Sequence, residues 1–242
     1  MFLFLVFAVS VLAGAVASIT GFGIGSLLTP TLGIVTGTRV AVAAVALPHF
    51  IGTALRFWML RGGIDRAVFL RFGIASAAGG LTGALLHGRL TSPWLSAVFG
   101  GLLIFVAITE FTGLARRMRF HGAVSLVAGA ISGLLGGLVG NQGGIRSAAL
   151  FGFEMPKTTF VATATAVGLV VDLARMPVYL VTDGSNVAQV WPLVAVATVG
   201  VIIGTIYGKE LLGRIPESRF RSIVAAILAV LGVSMLVAGV RT

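Results

Sequence analysis

Residues 137–153 read GLVGNQGGIRSAALFGF, an arginine and two carboxamides set among glycines between two apolar segments. In a water-soluble chain this would be an ordinary loop. Here the surroundings are 57% hydrophobic and only 10% charged, with a mean hydropathy of +1.09, so the stretch lies inside a membrane protein. The first charge is Arg39, and long uncharged runs recur at 72–88, 90–109, 122–145, 184–208 and 222–240. A hydrocarbon core about 30 Å thick takes roughly 20 apolar residues per helix, and several runs meet that length.

Outward from that stretch, the chain repeats itself. A shift of 119 residues lays LAGAVASITGFGIGS (12–26) over ISGLLGGLVGNQGGI (131–145), matching Gly14 with Gly133, Gly21 with Gly140 and Gly25 with Gly144. Further on, Arg56 falls on Arg175, and after a small slip GALLHGRL (83–90) falls on GTIYGKEL (204–211). The fold expected is one all-α polytopic membrane domain over 1–242, built from two homologous repeats, 1–115 and 120–242. Each repeat holds a helix, a glycine break, a short apolar helix and three further helices. The first set is expected near 2–20, 25–36, 40–60, 67–87 and 92–113. The second is expected near 122–139, 144–154, 157–181, 188–207 and 218–240. MFLFLVFAVSVLAGAVAS lacks a basic leader and reads as a structural helix, although Ala15-Val16-Ala17 resembles a cleavage site.

Loop charges decide whether the broken segments cross. If each break turns the chain back as a re-entrant hairpin, Arg61, Arg66, Arg116, Arg117, Arg119, Lys157, Lys209, Arg214, Arg219 and Arg221 share one side. Arg39, Arg89 and Arg241 take the other, a division of ten against three. By the positive-inside rule this puts the N-terminus outside and inverts the second repeat relative to the first. Full crossings would divide the same loops almost evenly. Against the hairpin, a 19-residue first limb is long for half a membrane, which tilt would accommodate.

The net charge of +10 reads as this orientation signal against an anionic leaflet, with no nucleic-acid partner implied. The chain has no cysteine and three histidines, which excludes disulfides and thiolate sites and shows no metal or cofactor constellation. Composition does not separate lipid-facing from partner-facing surfaces, so a homo-oligomer stays open.

Broken backbone survives in lipid only where protein buries it or a cavity borders it. At each break a short helix begins, near Ser26 and near Ile145, and its first N–H groups and dipole favour an anion. The expected substrate site therefore takes Gly23, Gly25 and Ser26 from the first break, with Thr20 and Thr29 hydroxyls nearby. The second break gives Asn141, Gln142, Gly143, Gly144 and Arg146, whose guanidinium suits an oxyanion. The structural alternative pairs Arg146 with Glu154 or a helix C-terminus, and gives Gly21 and Gly25 to close helix packing. His49 follows Pro48, which kinks or loosens its helix; it is either a structural hydrogen-bonder or a substrate contact and proton carrier. Arg56 and Arg175, nearer helix ends, are expected to snorkel to the interface or to guard the pathway. Asp172 stands three residues before Arg175, so an ion pair is the default; if that pair opens, Asp172 becomes a protonation site. Glu110 is expected at the interface.

These segments resemble a known family. ASITGFGIGSLLTPTLGI (17–34) with RVAVAAVALPHF (39–50), and GAISGLLGGLVGNQGGIRSAALFGF (129–153) with KTTFVATATAVGLVVDLARMPVY (157–179), are similar to the two signatures of the sulfite exporter TauE/SafE family, also called the toluene sulfonate uptake permease family. The resemblance covers nearly the whole chain. It implies a secondary transporter moving sulfite, sulfoacetate, sulfonates or other small anions across a cytoplasmic membrane, with no cofactor and no enzymatic step. Two features depart from many relatives: Gly21-Phe22-Gly23-Ile24-Gly25 in place of a denser glycine run, and Asn141-Gln142 at the second break. Protons are the natural coupling ion, because His49 and Asp172 can titrate. A passive channel would need a continuous polar lining, which no helix here supplies. An intramembrane enzyme would need a Ser/His, Asp/Asp or metal constellation beside Ser147, and none can be assembled from spacing. A structural membrane protein would leave Arg146 as a packing device.

Overall fold

A computed structural model describes residues 1–114, 123–141, 143–212 and 216–241. Gln142, Arg116, Arg117, Arg119 and Arg214 lie outside the described residues. The described chain is all helical: α1 (Phe2–Thr20), α2 (Ile24–Leu60), a 3₁₀ turn (Arg61–Gly63), α3 (Arg66–His87), α4 (Ser92–Thr112), α5 (Ala123–Val139), α6 (Gly143–Phe151), α7 (Lys157–Gln189), α8 (Trp191–Leu212) and α9 (Glu217–Arg241). Seven of the described helices are long and apolar enough to cross a membrane.

Glycine sets the two breaks. Gly21 caps α1 in the left-handed region (φ 81°) with its N–H on the Ala17 carbonyl, and Gly140 takes the same conformation (φ 74°) after α5. Both positions have room for a Cβ, with no atom nearer than 3.8 Å at Gly21 and 3.4 Å at Gly140. Glycine is there for its backbone angle, not for packing. A third departure, at Gly37 (φ 72°, ψ 157°), divides α2 into limbs 24–36 and 38–60. These match the two helices expected there. Pro48, by contrast, leaves the backbone angles helical and only deprives the Ala44 carbonyl of its donor.

One helix end differs from expectation. α7 was expected to close near 181 but continues through Asp183-Gly184-Ser185-Asn186 to Gln189. A glycine in a helix costs only about 1 kcal/mol. The Asp183 carboxylate, which would otherwise favour a turn, is held by Arg39 Nε at 3.0 Å and by the Thr182 hydroxyl at 2.8 Å.

Helix packing is reciprocal between the halves. α1 packs on α8, α5 on α3, and α4 on α9, while α2 and α7 pack together at the centre. Small residues make the first two contacts. A Cβ on Gly204 would strike the Val11 carbonyl and one on Gly14 the Val201 carbonyl; one on Gly83 would strike the Leu134 carbonyl and one on Gly137 the Gly80 carbonyl. Both pairs run parallel, since Gly200 meets Phe7 and Gly208 meets Ala15, while Gly79 meets Ala130 and Gly83 meets Leu134.

α2 and α7 run antiparallel, with Arg39 opposite Asp183, His49 opposite Asp172 and Arg56 opposite Thr165. The outer faces carry exposed Leu, Ile, Val and Phe side chains. Trp58, Trp94 and Trp191 are exposed near helix ends, where amphipathic rings favour the membrane interface.

Candidate functional site

The two breaks touch. A Cβ on Gly25 would run into the Gly140 carbonyl oxygen, and one on Gly143 into Phe22. Close packing therefore explains Gly25, as the structural alternative proposed, but not Gly21. Gly23 caps the start of α2 (φ 132°), Ser26 and Asn141 are buried beside the contact, and Gly144 packs on Val106 of α4 instead. Ser26 Oγ, Thr29 Oγ1 and Asn141 Nδ2 are buried and make no hydrogen bond among the described residues. Each such donor left dry costs about 1–3 kcal/mol.

Arg146, only 2% exposed, reaches across from the second break to the first. Its Nη2 donates to the Gly21 carbonyl at 2.9 Å, so one donor does what the structural alternative expected and holds the C-terminus of α1. Its Nε and Nη1 make no hydrogen bond among the described residues. Nη1 lies against Gly168, where a Cβ would come within 2.8 Å, and only a glycine on α7 leaves that space.

The α2/α7 seam carries the remaining polar groups. Asp172, fully buried, accepts from Arg175 Nε at 2.9 Å through Oδ1, has Arg175 Nη2 at 2.8 Å from the same oxygen in an ion pair, and pairs with His49 Nδ1 at 2.7 Å through Oδ2. The pairing with Arg175 is the ion pair expected from spacing. Arg175 Nη1 donates to the Gly136 carbonyl at 2.8 Å, which also accepts from the Gly140 N–H at 3.0 Å, so the guanidinium braces the last turn of α5. One turn further along, Tyr179 donates its hydroxyl to the Gly137 carbonyl. On α2, Arg56 Nε donates to Thr165 Oγ1 at 3.0 Å, and its Nη1 has no partner among the described residues.

Snorkelling is overturned for both arginines. Arg56 is 3% exposed and Arg175 is 1% exposed, so both guanidinium groups are spent inside the protein. Because α7 runs on to Gln189, Arg175 sits at mid-helix, too far from either end to reach water. Arg56, four residues from the end of α2, is covered by α7 through Thr165.

Three buried arginines (Arg56, Arg146, Arg175) thus share one buried aspartate (Asp172), leaving a surplus of 3 − 1 = 2 positive charges before His49 is counted. Asp172 is fully engaged by Arg175 and His49. Arg56 and Arg146 repel each other and have no carboxylate partner among the described residues. A cation held inside a membrane costs from about 3 to above 10 kcal/mol by different measures, so two unbalanced guanidinium groups need a compensating anion.

Sequence reasoning placed Arg146, Asn141, Gly143, Gly25 and His49 in one region, and the structure brings them together. It missed Thr53, whose Oγ1 lies 3.4 Å from His49 Nδ1, and Thr165 and Gly168. Thr53 lies in helical register with His49 and Arg56 on α2 itself, and the 119-residue shift pairs it with Asp172 and pairs Gly168 with His49. Thr165 is signalled by register with Arg56 across the antiparallel seam. Among the described residues no cluster of His, Cys, Asp or Glu could hold a metal ion.

A family model described as sulfite exporter TauE/SafE matches residues 6–235, nearly the whole chain. No curated protein matches, and no solved structure does.

Proposed function

The chain belongs to the sulfite exporter TauE/SafE family, and from that premise we propose that it is a secondary transporter of small oxyanions such as sulfite, sulfoacetate and sulfonates, working by alternating access in a cytoplasmic membrane. The observation that carries this is the unbalanced pair Arg56 and Arg146, buried at the seam with three donor nitrogens unsatisfied. Charge-assisted bonds to such donors are worth about 1.5–3 kcal/mol each. Ser26 and Asn141, buried and unsatisfied at the contact between the breaks, and the start of α2 at Gly23 are proposed to add neutral donors, with Gln142 assigned to the same site from sequence.

The proposed architecture is a pair of inverted repeats whose first two helical limbs form re-entrant hairpins. The reciprocal packing supports it. α8 starts directly after α7, at the Asp183 end of the seam, and α1 runs parallel to α8. α1 therefore begins at that end, and the limb 24–36 returns to it at Arg39. Gly14 lies level with Val201, which touches Gly52 near the middle of the seam. α1 ends six residues later, about 9 Å beyond at 1.5 Å per residue. A Cβ on Gly21 would lie 3.8 Å from Ala164 and 4.0 Å from Val161, so α1 reaches toward the start of α7 and the proposed hairpin takes a tilted first limb. Ten basic loop residues against three put the N-terminus outside.

His49 and Asp172, bonded at 2.7 Å in the middle of the seam, are the groups proposed to carry a coupling proton, with Arg56 and Arg175 controlling access on either side. Binding of sulfite and methanesulfonate to purified wild type, Arg146→Gln and Arg56→Gln tests the function. Glutamine keeps a donor for Gly21 or Thr165, so the variants are expected to stay folded while binding falls about tenfold to a hundredfold. Equal binding in folded variants would remove the site. Loss of folding in Arg146→Gln alone would make Arg146 a structural clamp, the second reading, which its bond to Gly21 favours.

A further inference from the structure

The shift of 119 residues that superposes Arg56 on Arg175 also exchanges two crossings of the central seam. It carries His49 onto Gly168, and Thr53 onto Asp172. The His49–Asp172 contact and the Thr53–Gly168 contact, where a Cβ on Gly168 would lie 3.6 Å from Thr53 Cγ2, are therefore equivalent positions about the middle of the seam. Asp172 precedes Arg175 by three residues, as Thr53 precedes Arg56. At one station the arginine has a carboxylate on its own helix. At the other that carboxylate is absent, and a second cation, Arg146, comes in from α6 with Nη1 against Gly168.

The two stations differ in satisfaction as well as in charge. The Arg175 guanidinium is matched to Asp172 and to the Gly136 carbonyl. At the Arg56 station, Arg56 Nη1 and Arg146 Nε and Nη1 are buried and unpartnered among the described residues. Three donor nitrogens on two guanidinium groups suit a compact group with two or three charged oxygens, which accepts forked hydrogen bonds as a carboxylate does.

We infer that the substrate's anionic headgroup, a sulfonate, sulfite or carboxylate, binds between Arg56 and Arg146 beside Thr53, taking there the place that the Asp172 carboxylate takes against Arg175. Asp172 is then a built-in counterpart of the substrate, and the protein holds one anion permanently and exchanges the other. This rests on the transporter reading and deepens it. It makes Arg56 a binding residue, Thr53 the position that keeps the site open, and Gly168 the position that admits Arg146.

The test is Thr53→Asp in the full chain, purified in detergent, with sodium sulfite and sodium methanesulfonate as probes in calorimetry and thermal-shift assays. The new carboxylate stands three residues before Arg56 and satisfies the station from within. Binding of both probes is expected to weaken at least about a hundredfold, with a melting temperature in anion-free buffer equal to or above that of wild type. Thr53→Asn, of the same size and uncharged, is expected to bind within about tenfold of wild type. Wild-type-like binding by Thr53→Asp overturns the inference, and so does an equal loss in Thr53→Asn, which would make the effect steric. Should Thr53→Asp not fold, Asp172→Asn reads the same equivalence from the other side. With its carboxylate gone, Arg175 accepts a second anion and the stoichiometry rises from one to two; a stoichiometry of one overturns the inference. If wild type binds neither probe, the transporter reading itself falls. If wild type binds, Arg56→Gln and Arg146→Gln do not, and Thr53→Asp does, only the present inference falls.

Discussion

Asp172→Asn is the substitution whose cost the structure defines most closely. Asp172 is fully buried; it accepts one hydrogen bond from Arg175 Nε, stands 2.8 Å from Arg175 Nη2 in the same ion pair and shares a hydrogen bond with His49. Asparagine preserves the volume, so no cavity forms. It removes the single negative charge that balances Arg175 and points an amide N–H₂ either at the guanidinium or at the imidazole. Removing one partner of a buried pair costs about 3–5 kcal/mol, most of it from the charge left behind. For a chain of this size each kcal/mol moves the melting temperature by about 2–4 °C, so the expected fall is about 6–20 °C in anion-free buffer. Thermal unfolding followed by tryptophan fluorescence measures it. Arg175→Met removes the other partner, and the double variant should be less destabilised than the sum of the singles, because neither charge is then stranded. A fall of less than about 2 °C in Asp172→Asn would mean that the seam is wet enough to hydrate Arg175, and the argument from unbalanced buried charge would collapse with it.

Three further outcomes follow from the same structure. Gly137→Ala drives a methyl into the Gly80 carbonyl and should cost about 1–3 kcal/mol or more by overpacking. Gly101→Ala meets nothing within 4 Å and should be neutral or stabilising by up to about 1 kcal/mol through helix propensity; similar melting temperatures for the two would refute the packing assignment. Arg39→Ala leaves the buried Asp183 with the Thr182 hydroxyl as its one side-chain partner among the described residues, for an expected loss of about 1–2 kcal/mol after allowing for the partial exposure of Arg39. Asp183→Asn in the same background should recover part of that loss in a thermal melt, and no recovery would show that the pair contributes nothing.

Helices were legible because an apolar chain that must satisfy its own backbone has one solution, and because glycine announces where that solution is interrupted. The helices after the breaks start at Ile24 and Gly143, one or two residues before the expected positions, while the ends of α1 and α5, at Thr20 and Val139, were readable to the residue. The end of α7 was not, because Asp183 and Gly184 read as turn formers until Arg39, 144 positions away, takes the carboxylate. That error produced another. With α7 closed near 181, Arg175 looked close enough to an end to reach water, and its burial followed only once the helix was seen to continue. The bond between His49 and Asp172 had no local signal at all, since the two residues are 123 apart and the repeat does not superpose them.

What the repeat does superpose is informative by its exceptions. Positions that agree across the shift, Gly21 with Gly140 and Arg56 with Arg175, set the left-handed breaks and place one guanidinium on each side of the middle. Positions that disagree supply the chemistry. Thr53 stands against Asp172, His49 against Gly168, and Leu27 against Arg146. All three differences change charge or titratable character at the seam; with His49 neutral the charges cancel in sum, but the carboxylate of Asp172 and the guanidinium of Arg146 fall at different stations. The half that keeps Arg56 receives Arg146 from the other half and gives up a carboxylate, while the half that keeps Arg175 has the carboxylate and the imidazole. A duplicated scaffold with matched halves would carry two equal stations. Among the described residues, divergence at these three pairs leaves one station with a carboxylate and the other without one, and the proposed substrate anion would supply the missing charge.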